Sequence, residues 1–368
     1  MASTIPREAI AAQATAQVAM AWLATMAYLE LASLWADVGT GGAGSAAKAA
    51  GFVRQAGKVL ELRRRQAAQV TVTHLRLQRA IRTATVVRLP DFDGRHFAAE
   101  PDLRTIRGEF VEVVSDYAPE ALKPAPRIPE LPKTSKRPPM PSADMGVKYE
   151  PYRPDAFPLP DTPAWSGKDA QSKLIEDQIA ELERQIAAEA KALEANTEKA
   201  LRELVKHNLS REGGLQVEIL DDGEGTEDAS MRAAGRFGWS GTKYISDRIG
   251  AVVADKDPKV AGYIRAHYSF DGTGPCAFCA VMLSRGAAYK SKESAGGSLG
   301  NVSTQYHPNC RCTGVAVYEG EDPMQDDRFA ANRFFRDLWQ SEIKKKGLSG
   351  DEARWAWRRK IDAMNRGH

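Results

Sequence analysis

Cys276-Ala277-Phe278-Cys279, an interval of 27 residues, and then His307-Pro308-Asn309-Cys310-Arg311-Cys312 place five potential metal ligands in one short stretch. All four cysteines of the chain lie there, a clustering that scattered packing thiols would not produce. Thiolate and imidazole are the donors that zinc prefers, and a Cys-x-x-Cys turn lets two thiolates hold one tetrahedral ion with little strain. The second knuckle supplies the remaining ligands and staples a loop too poor in apolar residues to fold by itself. Four of the five donors complete the shell. Cys310 and Cys312, two positions apart, share a face if that stretch is extended and diverge in a tight turn.

Two other readings of the same residues stand beside this one. The cysteines could form two disulfides, as in a secreted scaffold, or remain thiols with His307 on the surface. The chain has 368 residues and opens without a charged-then-apolar leader, so it has no need of such staples. The expectation is a structural Zn2+ clip on Cys276, Cys279, His307, Cys310 and Cys312.

The elements that must position this cluster divide the chain unevenly. Residues 5 to 38 and about 45 to 85 read as two long helices, separated by Gly39 to Gly44, where four of six residues are glycine. So short a break makes an αα-hairpin the simplest arrangement. The apolar run Ala9 to Ala36 carries Gln13, Gln17 and Glu30, and its alanines are too weakly hydrophobic to offset them in a bilayer. It reads as a buried or partner-facing helix, with Thr4 as N-cap and Pro6 in the first turn. Phe110 to Val114 reads as a short strand. Together these form an N-terminal helical domain, residues 1–118.

Residues 119–164 form a proline-rich linker: thirteen of the twenty prolines fall between Pro119 and Pro163, removing the donors that helices and central strands need. A tether of that length would let the N-terminal hairpin bind one structure while the cysteine module sits elsewhere. Residues 165–220 read as a long coiled-coil-like helix, because Ile175, Ile179, Leu182, Ile186, Ala190, Leu193, Thr197, Ala200 and Leu204 recur at steps of three and four. Two consecutive steps of four make the seam imperfect. Residues 175–204 could meet a second copy of the chain or one of its own helices.

The cysteine module spans residues 221–322, and a helical tail occupies residues 323–368. Lys344-Lys345-Lys346-Gly347 ends one tail helix and Ser349-Gly350-Asp351-Glu352 opens the next. Trp355 and Trp357 cannot share one face of that second helix, so one of them must meet another element or a partner. The resulting fold class is mainly α, with a small α+β zinc-clipped module.

The Cys-x-x-Cys turn, the Gly286-Ala287-Ala288-Tyr289 step, the His307 to Cys312 hexamer and the alternating Thr313 to Tyr318 resemble the C-terminal module of the phage Mu F-like minor head proteins. The hexamer is the specific part, and the resemblance covers about residues 225 to 320. One departure is the polar insert Lys290 to Tyr306. The resemblance implies a virion protein made in the host cytoplasm, present in few copies inside the head near the portal vertex. Its implied partners are the portal protein and the major capsid or scaffolding protein, and its implied role is head morphogenesis, extending to DNA packaging or ejection.

The charge pattern bears on a further partner. Net charge is +3, yet between Lys48 and Arg88 ten basic residues face the single acid Glu61. Such a stripe suits salt-dependent phosphate contact with packaged DNA through Arg63, Arg64 and Arg65, or a solvated face, or docking on an acidic partner. Enzyme readings are weaker. A catalytic zinc keeps an open coordination position, whereas five donors close the shell. Glu293 could act as a base, but nothing fixes it near the metal. A capsid maturation protease is the alternative, with His267 and Ser269 or His96 and Ser115 as the pairs on offer. No Gly-x-x-x-x-Gly-Lys phosphate loop exists.

Overall fold

The computed structural model describes residues 4–39, 46–85, 95, 97, 101–129, 147–158, 199, 257–269, 274–290, 295 and 312–366, with positions 234, 235, 238, 241, 242, 246, 249 and 250. The predicted hairpin is present: α1 runs over Arg7–Gly39 and α2 over Ala46–Thr83. Cross-contacts pair Glu30 with Arg63, Met20 with Thr71 and the Ala9 carbonyl with Gln78, so the two helices are antiparallel. The Pro6 carbonyl accepts from Ile10 N–H at 3.2 Å, which places Pro6 just ahead of the helix rather than inside its first turn.

α1 is long and apolar enough to cross a membrane by composition, yet it is the central strut of the fold. Ala11, Ala16, Val18, Ala19 and Leu23 meet α2 and α3. Leu31 and Trp35 meet Phe52 and Leu60. Ala24, Tyr28 and Ala32 meet the cysteines. A helix covered on all sides is apolar all round, and the many alanines let its neighbours approach closely. The described residues between 234 and 250 are helical and come very near: a Cβ at Gly238 would fall 2.7 Å from the Ala27 carbonyl oxygen.

The strand expected at Phe110 to Val114 is instead the middle of α3, Leu103–Tyr117. Leu103, Ile106, Phe110, Val113 and Val114 are its buried apolar residues, spaced by threes and fours, and Asp102 caps it by accepting from Thr105 N–H at 2.7 Å. A five-residue β-branched window hid the longer period.

The described strands form one three-stranded sheet in the order β1-β2-β3. β1, Val147–Lys148, runs parallel to β2, Val260–Ser269; β2 pairs antiparallel with β3, Cys312–Tyr318, from Val260 opposite Tyr318 to His267 opposite Cys312. Helix α4, Ala277–Ser284, lies between the two long strands in sequence. The tail forms α5, Ala330–Trp339, which continues as a π-helical turn over Gln340–Lys344, and then α6, Gly350–Arg366. Gly347, at φ +68°, makes the break where the lysine-rich helix end was expected.

The hairpin does not sit apart from the cysteine module, which overturns the tether expectation. Ile5, Ala9, Ile10 and Ala14 of the N-terminal segment are buried with Ile264, Ala266, Val315 and Val317 of the sheet and with Phe329. Part of the proline-rich segment is itself packed. Tyr152 is 2% exposed, its N–H donates to Thr15 Oγ1 at 2.8 Å, and its hydroxyl donates to Glu8 Oε1 at 2.7 Å. The coiled-coil-like seam of residues 175–204 lies outside the described residues, apart from the helical Lys199.

Candidate metal centre

Successive residues of a strand point to opposite faces, and β2 uses both. Ile264 and Ala266 pack on the N-terminal segment. Tyr263, Arg265 and His267 occupy the other face, where Tyr289, Cys279 and Cys312 respectively meet them. Gly314 stands opposite Arg265 in the ladder and leaves room for its long side chain. The Gly286 to Tyr289 step returns the chain to this face: Gly286 has φ +64°, and Tyr263 and Tyr289 exchange backbone hydrogen bonds at 2.8 and 3.4 Å. The Tyr289 hydroxyl donates to the Met282 carbonyl at 2.6 Å, and burial pushes its pKa up to about 12.

Cys276 is the N-cap of α4, and its Sγ accepts from Cys279 N–H at 3.4 Å. The Cys276 sulfur thus satisfies one of the backbone N–H groups that the first turn of a helix leaves without an intrahelical partner. Cys279 and Cys312 are 2% and 1% exposed and share one cluster with Ala24, Tyr28 and Ala32 of α1, with Cys276 packed at its edge. The fold therefore brings three of the five predicted ligands together. His307 and Cys310 lie outside the described residues. Among the described residues, no three His, Cys, Asp or Glu side chains are already arranged around a single metal position. The donor chemistry suits zinc, and the helix cap and the N–H···S bond are features a zinc knuckle uses.

Two residues at this site were not picked out as part of it from sequence. Arg265 is fully buried and donates from Nη2 to Cys279 Sγ at 3.3 Å and from Nη1 to the Ala295 carbonyl at 2.8 Å. His267, considered above only as a protease histidine, is 2% exposed with Nδ1 3.3 Å from Cys312 Sγ. The usable signal was their spacing: two polar residues two apart within an apolar strand must share a face, and that face must be occupied by something polar or polarizable. Of the remaining protease candidates, Ser115 lies on the exposed side of α3, while the side chain of Ser269 and all of His96 and Glu293 lie outside the described residues.

The tail holds α4 from behind. Ala280 and Leu283 are buried with Phe335, Ile343, Trp357 and Ile361, and Asn332 Nδ2 bridges the carbonyls of Arg265 and Leu283 at 2.8 and 3.1 Å. Trp355 is 58% exposed and Trp357 1%, the division expected of two tryptophans that cannot share a helix face.

The basic stripe of α2 is largely engaged within the protein. Arg63 forms a bidentate pair with Glu30, Arg64 Nε donates to the Gly241 carbonyl at 3.3 Å, and Arg65 pairs with Glu61 at 2.6 Å. Deeper along the helix Arg76 faces Glu109 at 3.5 Å, Arg79 pairs with Asp257 and Arg82 with Glu321. Apart from Glu61, the acids that balance the stripe come from distant parts of the chain.

Residues 169–336 match the family model described as VG15 protein, a phage-associated viral family. The match takes in residues 175–204 of the coiled-coil-like segment, the whole cysteine and histidine cluster and the first seven residues of α5. No curated protein and no solved structure matches the chain.

Proposed function

We propose that this protein is a structural minor head protein of a bacteriophage, of the Mu F-like kind, acting in head morphogenesis. The observation that carries the reading is the match of residues 169–336 to a phage-associated family, together with the His307 to Cys312 hexamer inside that span. In this reading the chain is made in the host cytoplasm and carried inside the head near the portal vertex, against the portal protein and the major capsid or scaffolding protein. Arg65, whose side chain is 62% exposed, is the member of the arginine run best placed to reach DNA phosphates. Residues 175–204 are the proposed self-association segment.

A structural Zn2+ belongs to the same proposal. Cys276, Cys279 and Cys312 would hold it, with His307 or Cys310 completing the shell. Bound there, it would supply a closed cross-link between the start of α4 and the start of β3. The chain's own residues form the seat for it: α1 closes one side, Arg265 donates to one sulfur, and the tail fixes the back of α4.

The test is proteomic and genetic. Purified virions should contain the protein at low copy number, and a phage lacking it should accumulate defective heads. Its absence from virions, with heads assembling normally, would overturn the reading. Co-expression with the major capsid protein should give no shortened product; a specific cleavage would favour the protease alternative.

A further inference from the structure

Of Gln13, Gln17 and Glu30, the residues that interrupt the apolar run of α1, Glu30 is paired with Arg63. Gln13 and Gln17, one helical turn apart and so on one side of the helix, instead line a cavity of about 40 Å3 between α1, α2 and the sheet. We propose that this cavity is a binding site for a cluster of about three water molecules, held by Gln13 and joining the hairpin to the sheet through hydrogen bonds. The site requires neither a metal nor a phage partner.

Three observations carry this. The first is Gln13 itself. It is 8% exposed, and among the described residues its side-chain amide has no hydrogen-bond partner. An amide offers two donors and an acceptor, and burying them unbonded is costly. Tyr318, which lines the same cavity from β3, is 7% exposed, and its hydroxyl likewise has no partner among the described residues. A buried tyrosine hydroxyl ordinarily finds one.

The second observation is the chemistry of the wall. Thr71 of α2 and Ser246 also line the cavity, their hydroxyls 2.6 Å apart, and each hydroxyl oxygen has a second lone pair to offer. Cavities that stay dry are walled by apolar side chains, whereas a polar wall with several donors and acceptors holds water.

The third is size. Each water needs about 10–15 Å3, so the space takes about three and excludes a nucleotide or a sugar. It exists because Gly314 and Ala316, alternate residues on one face of β3, are small. Gln13, Thr71, Ser246 and Tyr318 come from four separate parts of the chain, and the bound waters bridge them.

The experiment is a high-resolution crystal structure of the full chain, paired with water 17O relaxation dispersion in solution, which counts waters held inside a protein. The wild type should show about three ordered waters in the cavity, one of them about 3 Å from the Gln13 amide. Gln13→Leu, close in volume and unable to hydrogen-bond, should lose that water and lower the relaxation amplitude by about one water. A wild-type cavity without density, or one filled by an ion or an organic molecule, would overturn the proposal. So would a Gln13 amide bonded directly to protein, or equal amplitudes for the wild type and Gln13→Leu. If Gln13→Leu does not fold, the wild-type crystal structure decides alone.

Discussion

The indole N–H of Trp357 donates to the Ala277 carbonyl at 2.9 Å, joining the last helix of the chain to the first residue of the Cys-x-x-Cys helix across 80 positions. The Trp357 ring also lies 5.1 Å from Trp339 and 6.4 Å from Phe335. The tail is therefore a wall of the cysteine module. Trp357→Ala should cost about 3–5 kcal/mol, whereas Trp355→Ala should stay within about 0.5 kcal/mol. Urea midpoints of the two variants check this; equal midpoints would mean that the tail does not hold α4.

Metal removal is the second measurement. Elemental analysis should find about one zinc per chain, lost in Cys276→Ala/Cys279→Ala, because a staple's binding energy is folding energy. A chelator should lower the Tm of the wild type and leave that of the double variant unchanged. A stable wild type without metal would contradict the staple.

Arg107 makes a third case. Its guanidinium forms a bidentate pair with Glu8 at 2.8 and 2.6 Å and donates to the carbonyls of Phe157 and Pro158, so one side chain pins the proline-rich segment to α1 and α3. Arg107→Met leaves the Glu8 carboxylate buried without its cation and should cost about 3–5 kcal/mol. Glu8→Leu/Arg107→Met should recover much of that loss. Limited proteolysis of Arg107→Met should show earlier cutting within residues 147–158.

Alkaline pH gives the fourth. Burial raises the pKa values of Tyr149 and Tyr289 to about 12 and pushes those of Tyr152 and Tyr318 up as well. A group whose folded pKa lies above its unfolded value, near 10 for tyrosine, contributes stability that is complete below pH 10. That stability is lost as pH rises toward 12. Unfolding should therefore set in within that window, with tyrosinate absorbance from these residues appearing together with loss of helix. Tyrosinate absorbance complete at pH 10 in a folded protein would contradict the burial of these hydroxyls.

The hairpin, the glycine breaks and the division between Trp355 and Trp357 were all legible in sequence, because each rests on period, hydropathy or local backbone preference. The strand assigned to Phe110 to Val114 failed because a five-residue window cannot separate a buried strand from one face of a helix. Cys276, Cys279 and Cys312 were legible as a group from their spacing. Arg265 and His267 were not, since nothing near them in the chain says what lies opposite.

The amino-acid sequence alone determined the two helices of the hairpin, the glycine-rich break between them, and that Cys276, Cys279 and Cys312 belong to one group. Those properties follow from short-range periodicity and from residue chemistry. Only the tertiary structure decided that α1 is the common core of hairpin and module, that Arg79 and Arg82 answer to Asp257 and Glu321, and that His267 stands against Cys312. These pairings join residues from 45 to 239 positions apart, and which partners meet is settled by how buried faces pack together, a property of the whole chain rather than of any window within it.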